Sequence, residues 1–204
     1  MKILDFQIDM AVLEEAPVDI EALFFDRSNG GKAMAKVDLA RSKNRSISTV
    51  KEIADHEIFT VMFSKNMLVK LPQDEVIVKT WQALNETEPD YSAKHFNDLM
   101  EYLEMTEDDK QKIISVYDKI LDAYKYVLIN DKGVAKMMMK KTHFLTYVSF
   151  AERFESGQKL SEWLLLFYGD MPEDYFEASN KQTTSAVNTS KRISIVRDSI
   201  ESFL

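Results

Sequence analysis

The chain has 204 residues, a length that fits one domain or two small ones. Hydrophobic residues make up 45% of it, so it can bury a core, and the net charge of −8 argues against indiscriminate nucleic-acid binding. Cysteine is absent, which excludes disulfides, thiolate zinc sites and cysteine nucleophiles. With only 5 glycines and 4 prolines, the composition favours long helices over a turn-rich β protein.

Residues 1–16 predict a β-strand segment. Within Ile3–Leu13, apolar residues nearly alternate with polar ones from Leu4 onward, which is the period of a half-buried strand. A single strand cannot satisfy its own backbone N–H and C=O groups, so we expect it to pair with a strand that this chain does not obviously contain. The segment has no apolar signal core, and no apolar run approaches the roughly 20 residues that span a bilayer. The sequence therefore favours a cytoplasmic protein without membrane contact.

Residues 17–47 predict a helix that begins at Pro17, followed by a basic loop that starts at Arg27. From Arg27 to Lys51 the chain carries seven basic residues and one acid, Asp38, a local charge of +6. Contact with DNA phosphates is one interpretation, and a solvated loop whose charges pair with the acidic helix before it is the other. The nucleic-acid-binding candidates here are Arg27, Asn29, Gly31, Lys32, Lys36, Arg41, Lys43 and Arg45.

Residues 48–204 predict a helical body. Its first half is expected to contain helices from Ser48 to about Phe63, over Gln73–Leu84, from a Ser92 cap to Leu103, and from a Thr106 cap to Asn130. Its second half is expected to begin with one helix over Val134–Phe154, which Gly157 ends. Two helices should follow, over Leu160–Tyr168 and near Asp174–Ala178. A polar loop over Thr183–Ser190 then leads to a last helix over Lys191–Phe203. The fold class predicted for residues 1–204 is a single, mainly α domain, an irregular multi-helix arrangement with a single N-terminal β-strand.

Two further basic groups lie in this helical body. Lys132, Lys136 and Lys140 are spaced four apart and would share one face of a helix, either as a second phosphate-contacting stripe or as its solvated side. The hydroxyl and amide groups of Thr183–Ser190 precede a basic helix start and could hold a phosphate or serve as an ordinary N-cap. The nucleic-acid-binding candidates of this C-terminal group are Lys191, Arg192 and Arg197.

The sequence provides no catalytic set. His56, His95 and His143 lie on separate predicted helices and have no metal-ligand spacing. No nucleophile and base, and no pair of acids, stands out. We therefore predict no cofactor, no metal and no catalytic residue, and an autonomous hydrolase is the weakest hypothesis.

One resemblance to a known family lies in the segment that ends in Val37-Asp38-Leu39-Ala40. Its Phe25, Arg27, Asn29 and Gly31 match positions of an F-x-R-x-N-x-G-G-x-x-L motif, and the segment resembles the GmrSD-type restriction family, in which it follows a ParB-like nuclease core. The loop is one residue shorter here, and the chain contains no DGQQR motif, which would carry the nuclease chemistry.

The resemblance implies the helical C-terminal portion of such a protein without its catalytic half. The function it implies is a non-catalytic module of a DNA restriction or defence protein. This module would contact DNA phosphates, or would dock on a nuclease subunit or ParB-like domain through Ile3–Leu13. The alternative is a protein–protein interaction module of a phage or mobile element that does not bind DNA. Self-association into a homo-oligomer through the strand edge is a further possibility.

Overall fold

The computed structural model describes residues 36–204, and this part of the chain is helical without any strand. The mainly α prediction is therefore confirmed, whereas the predicted strand over Ile3–Leu13 and the helix beginning at Pro17 lie outside the described residues. Twelve α-helices are described: α1 Lys36–Lys43, α2 Ile47–Ala54, α3 Ile58–Met62, α4 Lys65–Leu68, α5 Pro72–Asn85, α6 Ala93–Tyr102, α7 Glu107–Asn130, α8 Lys132–Met138, α9 Lys141–Tyr147, α10 Gly157–Gly169, α11 Glu173–Asn180 and α12 Ala186–Phe203. A 3₁₀ helix, Val148–Arg153, follows α9 directly.

The longest helix, α7, lies at the centre of the packing. It begins with the predicted cap, in which the Thr106 hydroxyl accepts a hydrogen bond from the Asp109 backbone N–H and the Asp109 carboxylate accepts one from the Thr106 N–H. Its apolar face, which includes Ile113, Tyr117 and Ile120, is completely buried. Helices α2, α3, α5, α8 and α10 all pack against it. One continuous cluster of buried side chains, from Ala40 in α1 to Ile200 in α12, joins the two ends of the described chain.

Gly157 begins a helix rather than ending one, so that prediction is wrong. Ser156 caps α10, because its hydroxyl accepts a hydrogen bond of 3.1 Å from the Lys159 N–H. A Cβ atom on Gly157 would lie 2.7 Å from the Asp122 Cβ and 3.0 Å from the Ala123 N of α7. The glycine is needed for the close approach of two helices, a role that sequence does not distinguish from a helix stop.

The predicted helix over Val134–Phe154 is three segments, namely α8, α9 and the 3₁₀ helix. The chain turns at Lys140, whose backbone is extended, and α9 begins at the next residue, Lys141. Every residue from His143 to Tyr147 is buried, so the segment has no polar face that would reveal its boundaries. The stretch from Ser48 to Phe63 is also divided, because the His56 ring accepts a hydrogen bond from the Ile58 N–H and α3 begins there.

Two further boundaries differ from the prediction. Residues 36–43, assigned to the end of the basic loop, form α1. The last helix starts at Ala186 rather than Lys191, because the Ser185 hydroxyl accepts a hydrogen bond from the Asn188 N–H and caps α12 there. The predicted loop over Thr183–Ser190 is therefore mostly the first turn of a helix. Between residues 36 and 204 no helix is both long and apolar enough to cross a membrane.

Candidate functional site

The predicted nucleic-acid-binding residues fall into three groups in the structure. Arg27, Asn29, Gly31 and Lys32 lie outside the described residues, as does the side chain of Lys36. Arg41, Lys43 and Arg45 lie in α1 or just after it, and Lys191, Arg192 and Arg197 lie in α12. The structure does not show these two described groups in contact with one another.

Arg41 is held inside the protein by three contacts. Its Nε donates to the Asp74 carboxylate at 2.8 Å, and its Nη1 donates to the Asp38 carboxylate at the same distance. Its Nη2 donates to the Leu71 carbonyl oxygen at 3.1 Å. This guanidinium therefore ties α1 to the start of α5, and its charge already faces two acids.

Lys43 and Arg45, the other predicted site residues of α1 and the residues just after it, lie against acids at or just after the end of α6. Lys43 Nζ lies 2.8 Å from a Glu101 carboxylate oxygen, and Arg45 Nη1 lies 3.3 Å from one of Glu104. Both members of the Arg45 pair are more than 70% exposed, and such surface pairs contribute little to stability. These three basic residues therefore pair with acids of α1, α5 and the end of α6. The acidic helix that the alternative interpretation named as their partner lies outside the described residues.

Arg192 is a buried structural residue rather than a surface cation. Its side chain is 2% exposed and carries no carboxylate partner among residues 36–204. Instead it donates to the carbonyl oxygens of Ala178 at 2.8 Å and Thr183 at 2.7 Å, and to the hydroxyls of Thr146 and Thr189. A guanidinium used in this way cannot reach a phosphate. The neighbouring Lys191 is exposed and paired with Asp174, and Arg197 is exposed.

A groove of about 710 Å³ opens between α1, α5 and α6, and we call it the α1–α5–α6 groove. Its charged wall is formed by Asp38, Arg41, Glu75 and Lys79, and its apolar wall includes Tyr91 and Phe96. Arg41, a predicted site residue, thus lies in the wall of this groove. Concave sites that combine an apolar surface with a few fixed polar groups are where ligands and partner segments bind.

Lys79 is the most unusual residue of this groove. The side chain is 3% exposed, and its Nζ donates to the Glu75 carboxylate at 2.7 Å and to the Tyr91 carbonyl oxygen at 2.9 Å. The ammonium also lies 5.8 Å from the centroid of the Tyr91 ring and 5.7 Å from that of Phe96. Burial lowers the pKa of Lys79, although the contact with Glu75 opposes that shift.

The two neighbouring carboxyls of α5 respond to burial in opposite ways. Burial raises the pKa of Asp74, and the attraction of Arg41 offsets this only in part. Burial would also raise the pKa of Glu75, but the hydrogen bonds and charges of Lys79 and Lys141 outweigh it, so that this pKa is lowered. Arg41 and Lys79 of this groove therefore each have an acid beside them.

An exposed apolar strip forms the rim of this groove. Met67 in α4 is 49% exposed, and Val69 and Leu71 in the connection from α4 to α5 are 81% and 41% exposed. Leu71 adopts a left-handed backbone conformation with φ 53° and ψ 45°, which costs a residue with a Cβ about 1 kcal/mol or more. The hydrogen bond from Arg41 to its carbonyl oxygen and the start of α5 at Pro72 hold it there.

Sequence reasoning missed Lys79 and Glu75. The available signal was their spacing, since a Glu four residues before a Lys on a helix is a favourable pair. That spacing is common on exposed helix faces, so it did not indicate that the pair would be buried under α6. Burial depends on the contact between α5 and α6, which the sequence does not reveal.

The described residues contain no group of three His, Asp or Glu side chains that could hold a metal ion. The chain matches no protein family model, no curated protein and no solved structure. Any functional conclusion therefore depends on the geometry of this chain.

Proposed function

We propose that this chain is a non-catalytic helical module that binds another protein through the α1–α5–α6 groove. The observation that supports the proposal is the exposed apolar strip Met67–Leu71 at the rim of that groove, whose central side chain, Val69, is 81% exposed. Contiguous exposed apolar surface bordered by charged residues is typical of protein interfaces. The strained Leu71 also supports it, because strain of this kind is concentrated at functional positions.

The partner that we propose is a nuclease subunit that carries a DGQQR motif, as the resemblance to the GmrSD-type family implies. The residues that carry this resemblance continue into α1 as Val37-Asp38-Leu39-Ala40. Val37 and Asp38 form part of the groove wall. The segment that resembles the restriction family and the groove that we propose as the interface are therefore neighbours along the chain.

The test is binding of the full-length chain to a purified DGQQR nuclease domain of a GmrSD-type protein, measured by calorimetry. A Val69→Asp variant should weaken the complex by about tenfold or more, because it places a charge at the centre of the apolar strip. Leu166→Asp is the matched control, since Leu166 is 65% exposed on α10 and is not among the residues that line the groove. The proposal is rejected if the wild-type chain does not bind, or if both variants weaken binding equally.

Contact with DNA phosphates is the second candidate, and the 77% exposure of the Arg45 side chain favours it. Its test is the salt dependence of binding to duplex DNA. Arg45→Glu should reduce both the affinity and the salt slope, whereas Arg41 is unsuitable for charge reversal because it joins α1 to α5. An absence of binding at low salt would exclude this candidate.

A further inference from the structure

A second groove lies on the side of α7 that faces α3 and α8. Its volume is about 370 Å³, and its floor includes Met62, Tyr124, Leu128 and Met139. The lysines that the sequence spaces four apart, Lys132, Lys136 and Lys140, all border it. We call this the lysine groove.

The three lysines are exposed, and within residues 36–204 none of them has an acidic partner. No acid is among the residues that line the groove. The nearest acid along the chain, Asp131, accepts hydrogen bonds from the backbone N–H groups of Gly133 and Val134 at the start of α8. Within residues 36–204, three positive charges therefore border an apolar floor without an acidic partner, in a chain whose net charge is −8.

We infer that the lysine groove docks an acidic, amphipathic segment of a partner protein, with apolar side chains in the groove and carboxylates on the three lysines. Lys132 and Lys136 are one helical turn apart, about 6 Å along the axis. Carboxylates one turn apart on a partner helix have the same spacing. Docking of an amphipathic helix into an apolar groove is a common mode of protein recognition, and methionines adapt such a floor to its ligand.

The floor distinguishes this partner from other anions. A nucleic-acid backbone would satisfy the lysines but would leave Leu128, Met62 and Met139 facing phosphates and sugars. A membrane surface presents its headgroups as a sheet, which a concave groove does not match. An acidic protein segment satisfies both the charges and the apolar surface. The groove is separate from the proposed α1–α5–α6 interface, so this inference goes beyond that function.

The experiment uses the full-length chain and a fluorescein-labelled helical peptide with leucines on one face and glutamates beside them, monitored by anisotropy. Lys136→Glu should weaken binding by about tenfold or more, and Leu128→Asp should do the same through the apolar floor. Lys181→Glu makes the same charge change outside the groove, and Ile129→Asp, at an 84% exposed neighbour of Leu128, makes the same apolar change. Both controls should bind like the wild type. Circular dichroism should show that all four variants remain folded.

Three further probes decide between the possible partners. A peptide with glutamine in place of glutamate should bind at least about tenfold more weakly, because the lysines then lose their charged partners. The inference is overturned if the acidic peptide does not bind, if the glutamine peptide binds equally well, or if the controls fail like the groove variants. It is also overturned if single-stranded DNA or phosphatidylserine vesicles bind these lysines more tightly than the peptide. Val69→Asp should leave peptide binding unchanged, which separates this result from the proposed nuclease interface.

Discussion

The α1–α5–α6 groove and the lysine groove both combine cations with an apolar surface, but they differ in how those cations are compensated. In the first groove Arg41 contacts Asp38 and Asp74, and Lys79 contacts Glu75. In the second groove Lys132, Lys136 and Lys140 have no acidic partner among residues 36–204. Charge density along the sequence pointed to the first region, whereas the second carries three lysines that have no acidic partner among residues 36–204.

The difference shows that a cluster of basic residues indicates a binding surface only after its internal partners are known. The segment from Arg27 to Lys51 has a sequence charge of +6, yet three of its described cations, Arg41, Lys43 and Arg45, each lie against an acid. Those acids come from α1, α5 and α6, so a count along one stretch of sequence does not include most of them. The predictions below test whether paired and unpaired cations do behave differently.

The largest effect is expected at His143, which is buried beside Lys140 of the lysine groove. Burial, together with the charges of Lys140 and Arg192, lowers the pKa of His143 to about 4. The unfolded chain binds a proton near pH 6.5, so the free energy of unfolding should fall by about 3 kcal/mol between pH 6.5 and 4. His143→Gln should remove that part of the pH dependence in urea titrations.

Two substitutions at adjacent lysines sharpen this test. Lys140→Met removes a positive charge that lowers the pKa of His143. The decrease in the free energy of unfolding on acidification should therefore become smaller. Lys141→Met removes a lysine that is 2.9 Å from the Glu75 carboxylate, and the His143-dependent loss should not change. Equal responses to the two substitutions would contradict the distinction between paired and unpaired cations.

A smaller effect is expected when a lysine is removed from each groove. Lys79→Met should lower the free energy of unfolding by about 2 kcal/mol, because the buried Tyr91 carbonyl oxygen and Glu75 both lose a donor. Lys136→Met should change it by less than about 0.5 kcal/mol, because that side chain is exposed. Urea unfolding of both variants at pH 7 measures the difference. Similar values would mean that the Lys79 network contributes nothing to stability.

The sequence predicted helices well where side-chain capping and periodicity agree. The Ser92 and Thr106 caps are present, and α5, α6 and α7 begin and end within about two residues of the prediction. The prediction failed over Val134–Phe154, where His143–Tyr147 are buried on all sides and periodicity disappears. It also failed at Gly157, where the reason for glycine is the proximity of α7. Both failures concern contacts between helices that are distant in sequence.

For the candidate sites, too, the sequence predicted local features but not contacts between helices that are distant along the chain. Arg41 and Arg192 were recognised from sequence, but their environment was not, since Arg192 is 2% exposed and Arg41 contacts Asp74 of α5. The spacing predicts one helix face for Lys132, Lys136 and Lys140, but only the first two lie in α8, and Lys140 reaches the same groove from the turn before α9. The apolar floor beneath them includes α3 and α7 residues, which no pattern within residues 132–140 could reveal.

The smallest effect concerns the two carboxyls of the α1–α5–α6 groove, which should oppose each other as the pH falls. The raised pKa of Asp74 means that this group contributes stability at acidic pH and loses that contribution as pH rises through its folded pKa. The lowered pKa of Glu75 means that this group contributes stability above its unfolded pKa and loses that contribution as pH falls.

Asp74→Asn should therefore steepen the acid-induced loss of stability between pH 6 and 3, and Glu75→Gln should flatten it. Each unit of pKa difference corresponds to about 1.4 kcal/mol. Unfolding midpoints measured across this range test the signs, and changes in the same direction would show that burial does not outweigh Arg41 at Asp74, or that Lys79 and Lys141 do not outweigh burial at Glu75.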